Sequence, residues 1–144
     1  NVVTKMKETN TVIGGEGNGG VIYPESHYGR DALVGVGLFL SHFVAEGKSM
    51  TALKATYPQY FISKNKLTLS PDMDVDKILE GLKKKYASEE ITDIDGVKID
   101  FKDGWVHLRK SNTEPIIRIY SESKDEAAAN QLAEEVIKVA QSLC

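Results

Sequence analysis

The sequence predicts a protein of mixed helices and strands in two units, the second of which is an α+β layer pair with a four-stranded antiparallel sheet and two helices. Two observations lead to this fold class. Apolar and polar residues alternate between residues 97 and 120, as in half-buried strands. Helical periodicity lies on both sides of these strands, and a polar stretch at residues 63–66 marks a linker before them. We therefore divide the chain into residues 1–65 and residues 66–144.

The first unit is predicted to begin with a glycine-rich loop between strands. Residues 2–6 and 11–13 have the composition of strands around a polar turn, and residues 21–23 form a short apolar run. The segment between them, residues 14–20, holds five of the twelve glycines of the chain. Glycine permits tight backbone curvature, so we expect this segment to be a loop.

Two helices are expected to follow this loop. Residues 31–46 carry apolar side chains on most sides, which predicts a helix that is buried on most of its circumference. Gly47 is a natural C-terminal stop for it. Ser49 is placed to cap a second, shorter helix, which must end before Pro58.

In the second unit, a strand at residues 67–69 and a helix precede the main run of strands. We expect the helix to begin near Pro71, with Asp72 or Asp74 at its start. Its apolar face is formed by Val75, Ile78, Leu79, Leu82 and Tyr86.

Three strands and a final helix complete the second unit. Asp103-Gly104 is a two-residue hairpin signal that joins strands at residues 97–102 and 105–108, and residues 116–120 form the third strand. Ser123 and Glu126 have the spacing of a capping box, which predicts that the last helix begins there.

Composition and charge argue against several classes of function. The formal net charge is −3, so nucleic acid and anionic membranes are not expected as partners. No apolar run reaches transmembrane length. Cys144 is the only cysteine, so no disulfide can form within the chain, which suits a reducing compartment and predicts a cytoplasmic protein. The chain begins at Asn1-Val2-Val3, without Met and with a strand-like composition, so we expect a fragment of a longer protein.

The stretch Arg109-Lys110-Ser111-Asn112-Thr113-Glu114-Pro115, with Arg118 just beyond it, is the first candidate site. Guanidinium groups match phosphate oxygens bidentately, and exposed N–H groups of a loop form an anion nest. These residue types between two strands therefore predict anion binding, most plausibly of phosphate. The alternative is a turn whose hydroxyl and amide side chains only satisfy their own backbone. Lys110 can add charge, and His107 shares a strand face with Arg109 and can border the site.

The glycine loop is the second candidate site. It matches G-x-G-x-x-G at Gly15, Gly17 and Gly20, but a strand-like run follows where a dinucleotide site needs a helix N-terminus. A kinase loop is equally disfavoured, because the chain has no H-R-D or D-F-G tripeptide. A flexible hairpin tip remains one alternative. The other is binding of sugar hydroxyls by the carboxylate of Glu16 and the amide of Asn18. Together the two loops suggest a phosphosugar held between two units, and no catalytic residue is identified.

These two motifs, in this order, resemble two signatures of the α-D-phosphohexomutases. This family of isomerases includes phosphoglucomutase/phosphomannomutase and phosphoglucosamine mutase. The resemblance covers essentially the whole chain. It implies that residues 1–65 are the C-terminal part of the third domain, a partial α/β sugar-binding domain. Residues 66–144 would be the C-terminal phosphate-binding domain.

The resemblance also implies roles for individual residues. Glu16 and Asn18 would contact the sugar hydroxyls, and Arg118 would lie near or support the phosphate site. The residues that would bind the phosphate that is not transferred are Arg109, Ser111, Asn112 and Thr113. Family members commonly carry Gly-Glu-x-Ser-Gly-His in the sugar loop, where this chain has Asn18 and Gly20 in place of Ser and His. Asn can still bond a hydroxyl, but Gly20 cannot replace a His contact.

The family's phosphoryl-transfer chemistry is expected outside this chain. Neither a phosphoserine loop nor an Asp-Gly-Asp-Gly-Asp loop for Mg²⁺ is identified here, and the Asp-x-Asp patterns lie at residues 72–74, 74–76 and 93–95. The resemblance therefore places the Mg²⁺ cofactor in missing N-terminal domains. The full protein would interconvert hexose 1-phosphate and 6-phosphate through a hexose 1,6-bisphosphate. We predict that this chain alone is inactive and binds phosphosugar weakly.

Two other functions compete with this interpretation. One is a stand-alone phosphosugar-binding module without catalysis. The other is a structural or protein-interaction domain whose loops are only turns. No residue is identified that reads the 2-position of the sugar, where glucosamine, glucose and mannose phosphates differ.

Overall fold

A computed structural model describes residues 2–17, 19–70 and 73–143 of the chain. It divides into two compact units, Asn1–Pro58 and Gln59–Cys144. The structural division thus falls before the predicted boundary between residues 65 and 66. The predictions made for Asn18, Pro71, Asp72 and Cys144 lie outside the described residues.

The first unit begins with a helix, α1 (Val2–Thr9), where the sequence predicted a strand. The prediction was wrong because contacts of helical spacing outweigh the strand propensity of Val2, Val3 and Thr4. Thr9 Oγ1 donates to the carbonyl of Lys5 over 2.8 Å, and Lys5 Nζ lies 3.3 Å from Glu8 Oε2. The side chain of Met6 is buried, which gives the helix one inward anchor.

The glycine-rich segment forms a short hairpin. β1 (Gly14–Gly15) pairs antiparallel with β2 (Val21–Ile22), so the strands are shorter than predicted, and residues 11–13 are not in a strand. Gly14 packs against the side chain of Met6 so closely that a Cβ atom would collide with its sulfur. A larger residue at this position would require the flexible end of the Met6 side chain to shift.

Two helices follow, α2 (Ala32–Glu46) and α3 (Met50–Lys54), capped by Asp31 and Ser49 respectively. Gly47 ends α2 in the left-handed conformation, with φ of 60°, as predicted. The predicted burial of α2 was wrong: none of its residues is buried, and the side chain of Leu33 is 84% exposed. The helix is apolar on several sides, and the described residues of this unit supply little apolar surface to cover it.

The second unit contains one sheet and two helices. Its elements are β3 (Phe61–Thr68), α4 (Val75–Lys85), β4 (Glu90–Thr92), β5 (Val97–Phe101), β6 (Gly104–Lys110), β7 (Ile116–Ser123) and α5 (Glu126–Ser142). The strands are antiparallel in the order β3-β7-β6-β5-β4, which confirms the α+β class but gives five strands instead of four. β4 was missed because it is only three residues long.

The predicted linker at residues 63–66 was also wrong, since these residues lie inside β3. β3 is an edge strand, and Lys64 and Lys66 are exposed on the sheet face that the helices leave uncovered. An edge strand with one solvated face has a polar sequence, which explains the resemblance to a loop.

The helices of the second unit cover one face of this sheet. The strands bury side chains against α4 and α5, in a core built from Leu67, Val75, Ile78, Leu82, Val106, Leu108, Ile117, Ile119, Val136 and Ala140. Because side chains alternate along a strand, the residues between these positions point to the open face. No helix among the described residues is long and apolar enough to cross a membrane.

The start of α5 differs from the predicted capping box. Asp125 is the N-cap, and its carboxylate accepts from the N–H of Ala128 over 2.8 Å. Ser123 instead ends β7, where its hydroxyl donates to the carbonyl of Asp103 over 2.7 Å. The capping pattern was present in the sequence, but Ser123 lies in the strand and bonds the carbonyl of Asp103, so it does not cap the helix.

The carboxylates that cap α2 and α4 are expected to make stability fall in acid. The pKa of Asp31 lies below its ordinary value of 3.8, because the N–H of Val34 and then His27 bond its carboxylate. The pKa of Asp74 is lowered in the same way, first by the N–H of Lys77. With a depressed pKa the unfolded chain binds more protons, so this stabilisation is complete above 3.8 and is lost as pH falls through the folded pKa.

Urea unfolding from about pH 5 to about pH 3, followed by Trp105 fluorescence, tests this expectation for the second unit. Asn caps a helix about as well as Asp but does not titrate. The Asp74→Asn variant should therefore lose less stability on acidification than the unchanged chain. An identical loss in both proteins would contradict the assignment.

Candidate anion-binding site

The loop between β6 and β7 is held in place by backbone hydrogen bonds at both ends. The N–H of Ser111 donates to the carbonyl of Ile116 over 3.0 Å, and the N–H of Ile116 donates to the carbonyl of Glu114 over 2.8 Å. The carbonyl of Pro115 accepts from the N–H of Leu69 over 2.9 Å. These bonds fix a tight connection whose tip, residues 111–114, is free to present side chains and N–H groups.

The tip contains the local turn that the alternative interpretation predicts. The N–H of Thr113 donates to Ser111 Oγ, but over 3.4 Å, and the two hydroxyl oxygens are 3.5 Å apart. Bonds of this length are weak. The hydroxyls of Ser111 and Thr113 therefore converge on one place and keep capacity to bond an additional acceptor.

The two arginines are brought together by the strand register. Arg109 of β6 lies directly opposite Arg118 of β7, and side chains paired in this way share one sheet face. Arg109 Nε lies 3.2 Å from Asp95 Oδ2, and Arg118 Nη2 lies 3.4 Å from Glu114 Oε2. Each arginine is half exposed, so two guanidinium groups remain available at the end of the sheet that carries the loop.

Asp95 is a residue of this site that sequence reasoning missed. It belongs to the turn before β5, and its carbonyl accepts from His107 Nε2 over 2.7 Å. A carbonyl can only accept, so His107 Nε2 is the donor of this bond. Gly96, with φ of 79°, presses this turn against β6, where a Cβ would collide with the carbonyl oxygen of Leu108. The signal available in the sequence was the β5–β6 register, which places the turn beside Arg109.

A cavity of about 320 Å³ opens beside the loop. Its walls are His107, Arg109, Lys110, Ser111, Asn112, Thr113, Arg118 and Tyr120. All five residues predicted for the phosphate site line this one cavity. His107 and Lys110 border it as expected, and Tyr120 was missed although it lies on the same strand face as Arg118.

The arrangement has the chemistry of an anion receptor. The lining residues include two guanidinium groups, one ammonium group, hydroxyls, an amide and an imidazole, and no carboxylate among the described residues lines the cavity. Phosphate oxygens are well matched by guanidinium forks and hydroxyl donors. Two of the chain's three arginines are in this cavity, which explains how a chain of net charge −3 can hold an anion.

Substitutions at Asp95 are expected to separate two effects on phosphate binding, that of its negative charge and that of its orienting contact with Arg109. Asp95→Asn keeps an acceptor for Arg109 Nε but removes a negative charge, so inorganic phosphate should bind about two- to threefold more tightly. Asp95→Ala removes the charge and also the acceptor that orients the guanidinium, so it should bind more weakly than Asp95→Asn. Isothermal titration with phosphate measures both variants, and equal affinities would contradict an orienting role.

The glycine loop of the first unit is also well defined around Glu16. The N–H of Glu16 donates to the carbonyl of Gly20 over 3.0 Å, and the N–H of Gly19 donates to the carbonyl of Glu16 over 2.9 Å. Glu16 Oε2 lies 3.5 Å from Arg30 Nη1. Arg30 thus pairs with Glu16, while its neighbour Asp31 caps α2.

The carboxylates that the structure describes in the Asp-x-Asp patterns are not grouped as metal ligands. Asp74 caps α4, and Asp93 Oδ2 lies 3.2 Å from Lys83 Nζ, so these carboxylates are engaged elsewhere. Within residues 2–17, 19–70 and 73–143, no three His, Cys, Asp or Glu side chains come together as metal ligands do.

Comparison with known protein families gives two matches that together span most of the chain. Residues 1–60 match the phosphoglucomutase/phosphomannomutase alpha/beta/alpha domain III. Residues 66–139 match the phosphoglucomutase/phosphomannomutase C-terminal domain. The two matches follow each other in the order that the glycine loop and the anion-binding loop have in this sequence.

Individual relatives agree with these matches. The chain is 39% identical over 140 residues to a phosphoglucosamine/phosphogalactosamine mutase of Sulfurisphaera tokodaii, covering 96% of this chain and 31% of the relative. It is 41% identical over 140 residues to a phosphoglucomutase/phosphomannomutase of Thermococcus kodakarensis, covering 96% and 30% respectively. A crystal structure of a phosphoglucomutase/phosphomannomutase family protein from Burkholderia thailandensis superposes with a TM-score of 0.69 at 26% identity, covering 96% of this chain and 30% of that one. The chain thus spans about a third of the length of these relatives.

Proposed function

This chain belongs to the phosphoglucomutase/phosphomannomutase family, and we propose that it is the substrate-binding C-terminal part of a phosphohexomutase. The observation that carries this proposal is the cavity beside the β6–β7 loop, which all five predicted phosphate-site residues line. Residues 1–65 would serve as the sugar-binding part, and residues 66–144 as the phosphate-binding domain.

In this proposal the cavity holds the phosphate that is not transferred. Arg109 and Arg118 bind phosphate oxygens, and Ser111, Asn112 and Thr113 add hydroxyl and amide donors. Arg118 is paired with Glu114 at 3.4 Å, a half-exposed contact that an incoming phosphate can displace at little cost. The same site can accept either end of a hexose bisphosphate, because a phosphate monoester presents the same oxygens at position 1 or 6.

The glycine loop is proposed to bind the sugar hydroxyls through Glu16 and Asn18. The turn at Glu16 and Gly19 and the contact of Glu16 with Arg30 support an ordered carboxylate in the first unit. A carboxylate accepts from vicinal hydroxyls, and an amide both donates and accepts. The absence of a side chain at Gly20 would leave one contact of the wider family unmade.

The complete protein is proposed to interconvert hexose 1-phosphate and hexose 6-phosphate in the cytoplasm. The phosphoserine and the Mg²⁺ site would belong to the two thirds of the relatives' length that this chain does not span. Hexose 1,6-bisphosphate would be the intermediate. The relatives' names include glucosamine, galactosamine, glucose and mannose phosphates as substrates, and we propose a hexose phosphate of this group.

Calorimetric titration of the chain with hexose phosphates tests this function. Glucose 6-phosphate, mannose 6-phosphate and glucosamine 6-phosphate should each bind, while free glucose at the same concentration should give no heat beyond dilution. The chain alone should show no mutase turnover. Binding of free glucose as tight as that of its phosphate would overturn the phosphate site, and turnover by the chain alone would overturn the assignment of the chemistry to other domains.

A further inference from the structure

A row of three cations crosses the open face of the sheet next to the cavity. In the β3–β7 register, Lys66 lies directly opposite Arg118, and in the β6–β7 register Arg118 lies directly opposite Arg109. Their strand neighbours Leu67 and Ile117 are buried in the core, so the three cations point to the uncovered face. Lys66, Arg118 and Arg109 are therefore adjacent on three neighbouring strands.

Such a row is unfavourable in the absence of an anion. Like charges directly opposite each other on neighbouring strands destabilise a sheet, because their Cβ atoms are only about 5 Å apart. The charge of Arg109 is offset by Asp95, and the charge of Arg118 is offset by Glu114. Across the described part of the chain, no carboxylate lies within ion-pair distance of Lys66, so one positive charge of the row is left without compensation.

On the open face, successive rows of residues across the strands become more positively charged toward the cavity. The next row contains Lys64, Tyr120, His107 and Lys98, and the row after it contains Glu122, Trp105, Asp100 and Glu90. Lys64 Nζ lies 5.8 Å from the ring centroid of Tyr120, and Lys98 bonds Asp100, so both have a local contact. Among the lysines of these rows, Lys66 is the one without an ion pair or ring contact to another described residue, and it lies directly opposite Arg118, which lines the cavity.

We propose that Lys66 is a phosphate-binding residue of this site, contributed by β3 from outside the β6–β7 loop. The ligand class is a phosphate monoester dianion, and the inference rests on the proposed function of the cavity. Lys66 adds a point charge opposite Arg118, whose planar fork supplies directional bonds. A bound phosphate offsets the repulsion among the three cations. The row therefore lowers the stability of the unliganded chain and raises its affinity for phosphate.

The opposite effects on stability and on affinity distinguish a phosphate-binding lysine from a lysine that only stabilises the fold. Lys66→Gln removes one charge of the row, so the melting temperature in phosphate-free, low-salt buffer should not fall. The same substitution should weaken binding of inorganic phosphate about fivefold. Lys66→Arg keeps the charge and should bind phosphate nearly as well as the unchanged chain.

The matched control is Lys138→Gln, which makes the same charge change on α5, the helix that packs on the other face of the sheet. Lys138 is exposed, and its substitution should leave phosphate affinity unaltered. The four proteins are compared in the complete 144-residue chain by thermal melting with and without phosphate and by titration of inorganic phosphate.

Each outcome decides one question. If the unchanged chain binds phosphate and Lys66→Gln binds it equally well, the proposal for Lys66 is wrong while the function of the cavity stands. If Lys66→Gln melts earlier without phosphate, the residue is structural and the proposal is also wrong. If neither inorganic phosphate nor a hexose phosphate binds the unchanged chain, the proposed function falls and Lys66 with it.

Discussion

Replacing Arg109 by Gln is expected to lower the affinity of the chain for hexose 6-phosphate by roughly thirtyfold. The substitution removes the guanidinium fork that we propose binds the phosphate, and charge-assisted hydrogen bonds are worth about 1.5–3 kcal/mol each. It also leaves Asp95 without its partner at 3.2 Å, so a negative charge then repels the incoming anion. Both effects act in the same direction, which makes this the largest binding effect expected from any single residue.

Titration calorimetry measures this loss, and circular dichroism verifies that the fold is kept. Because Arg109 is exposed, the variant should remain folded. The double variant Asp95→Asn with Arg109→Gln should recover part of the affinity, since it removes the unpaired carboxylate. A change of less than about twofold in Arg109→Gln would mean that this arginine does not contact the phosphate.

Gly96→Ala is expected to lower the free energy of unfolding of the second unit by about 2–4 kcal/mol. The backbone φ of 79° at this position is strained for any residue with a Cβ. In addition, the new Cβ would collide with the carbonyl oxygen of Leu108, which is backbone in the middle of β6 and cannot rotate away. The turn must shift, and Asp95 moves with it.

Urea unfolding followed by Trp105 fluorescence measures this loss, because Trp105 is the only tryptophan and lies in the second unit. Gly37→Ala is the matched control. Nothing lies within 4 Å of a Cβ built at Gly37, which is inside α2 of the first unit, so this variant should leave the Trp105 transition unchanged. Equal stability of Gly96→Ala and the unchanged chain would show that the turn is not held against β6.

The second unit was predictable wherever local chemistry and core packing agree. Asp103-Gly104 predicted a β5–β6 hairpin, and this hairpin is present, but its two turn residues are Lys102 and Asp103, because Gly104 begins β6 and pairs with Phe101. The inward positions Val106 and Leu108 are fully buried, as the alternation indicated. The helix face at Val75, Ile78 and Leu82 is also buried.

Prediction failed where tertiary context outweighs local pattern. α1 has strand-like composition but is anchored by Met6, and β3 has loop-like polarity because it is an edge strand with one solvated face. The exposed apolar surface of α2 has a different origin. Its sequence has the composition of a buried helix, but the described residues of the chain bury none of its side chains.

The anion site was predictable in composition but not in geometry. The residue types after β6 predicted anion binding, because guanidinium and hydroxyl groups match phosphate oxygens, and a turn that satisfies its own backbone was the alternative. The contributions of Asp95, Tyr120 and Lys66 depend on which residues face each other across the strands. The hairpin signal at residues 103–104 bears on the pairing of β5 with β6, but the pairing of β3 with β7 has no local signal in the sequence. The members of this site come from three strands, from the β6–β7 loop and from the turn before β5, so the strand order must be known before all of them can be named.

The most direct test of the phosphate site is an amide-resolved NMR titration of the chain with glucose 6-phosphate. The account predicts that the largest shifts occur at the amides of Ser111, Asn112 and Thr113, and that inorganic phosphate reproduces them while free glucose does not. Unmoved amides at these three residues, at saturating glucose 6-phosphate, would contradict the account.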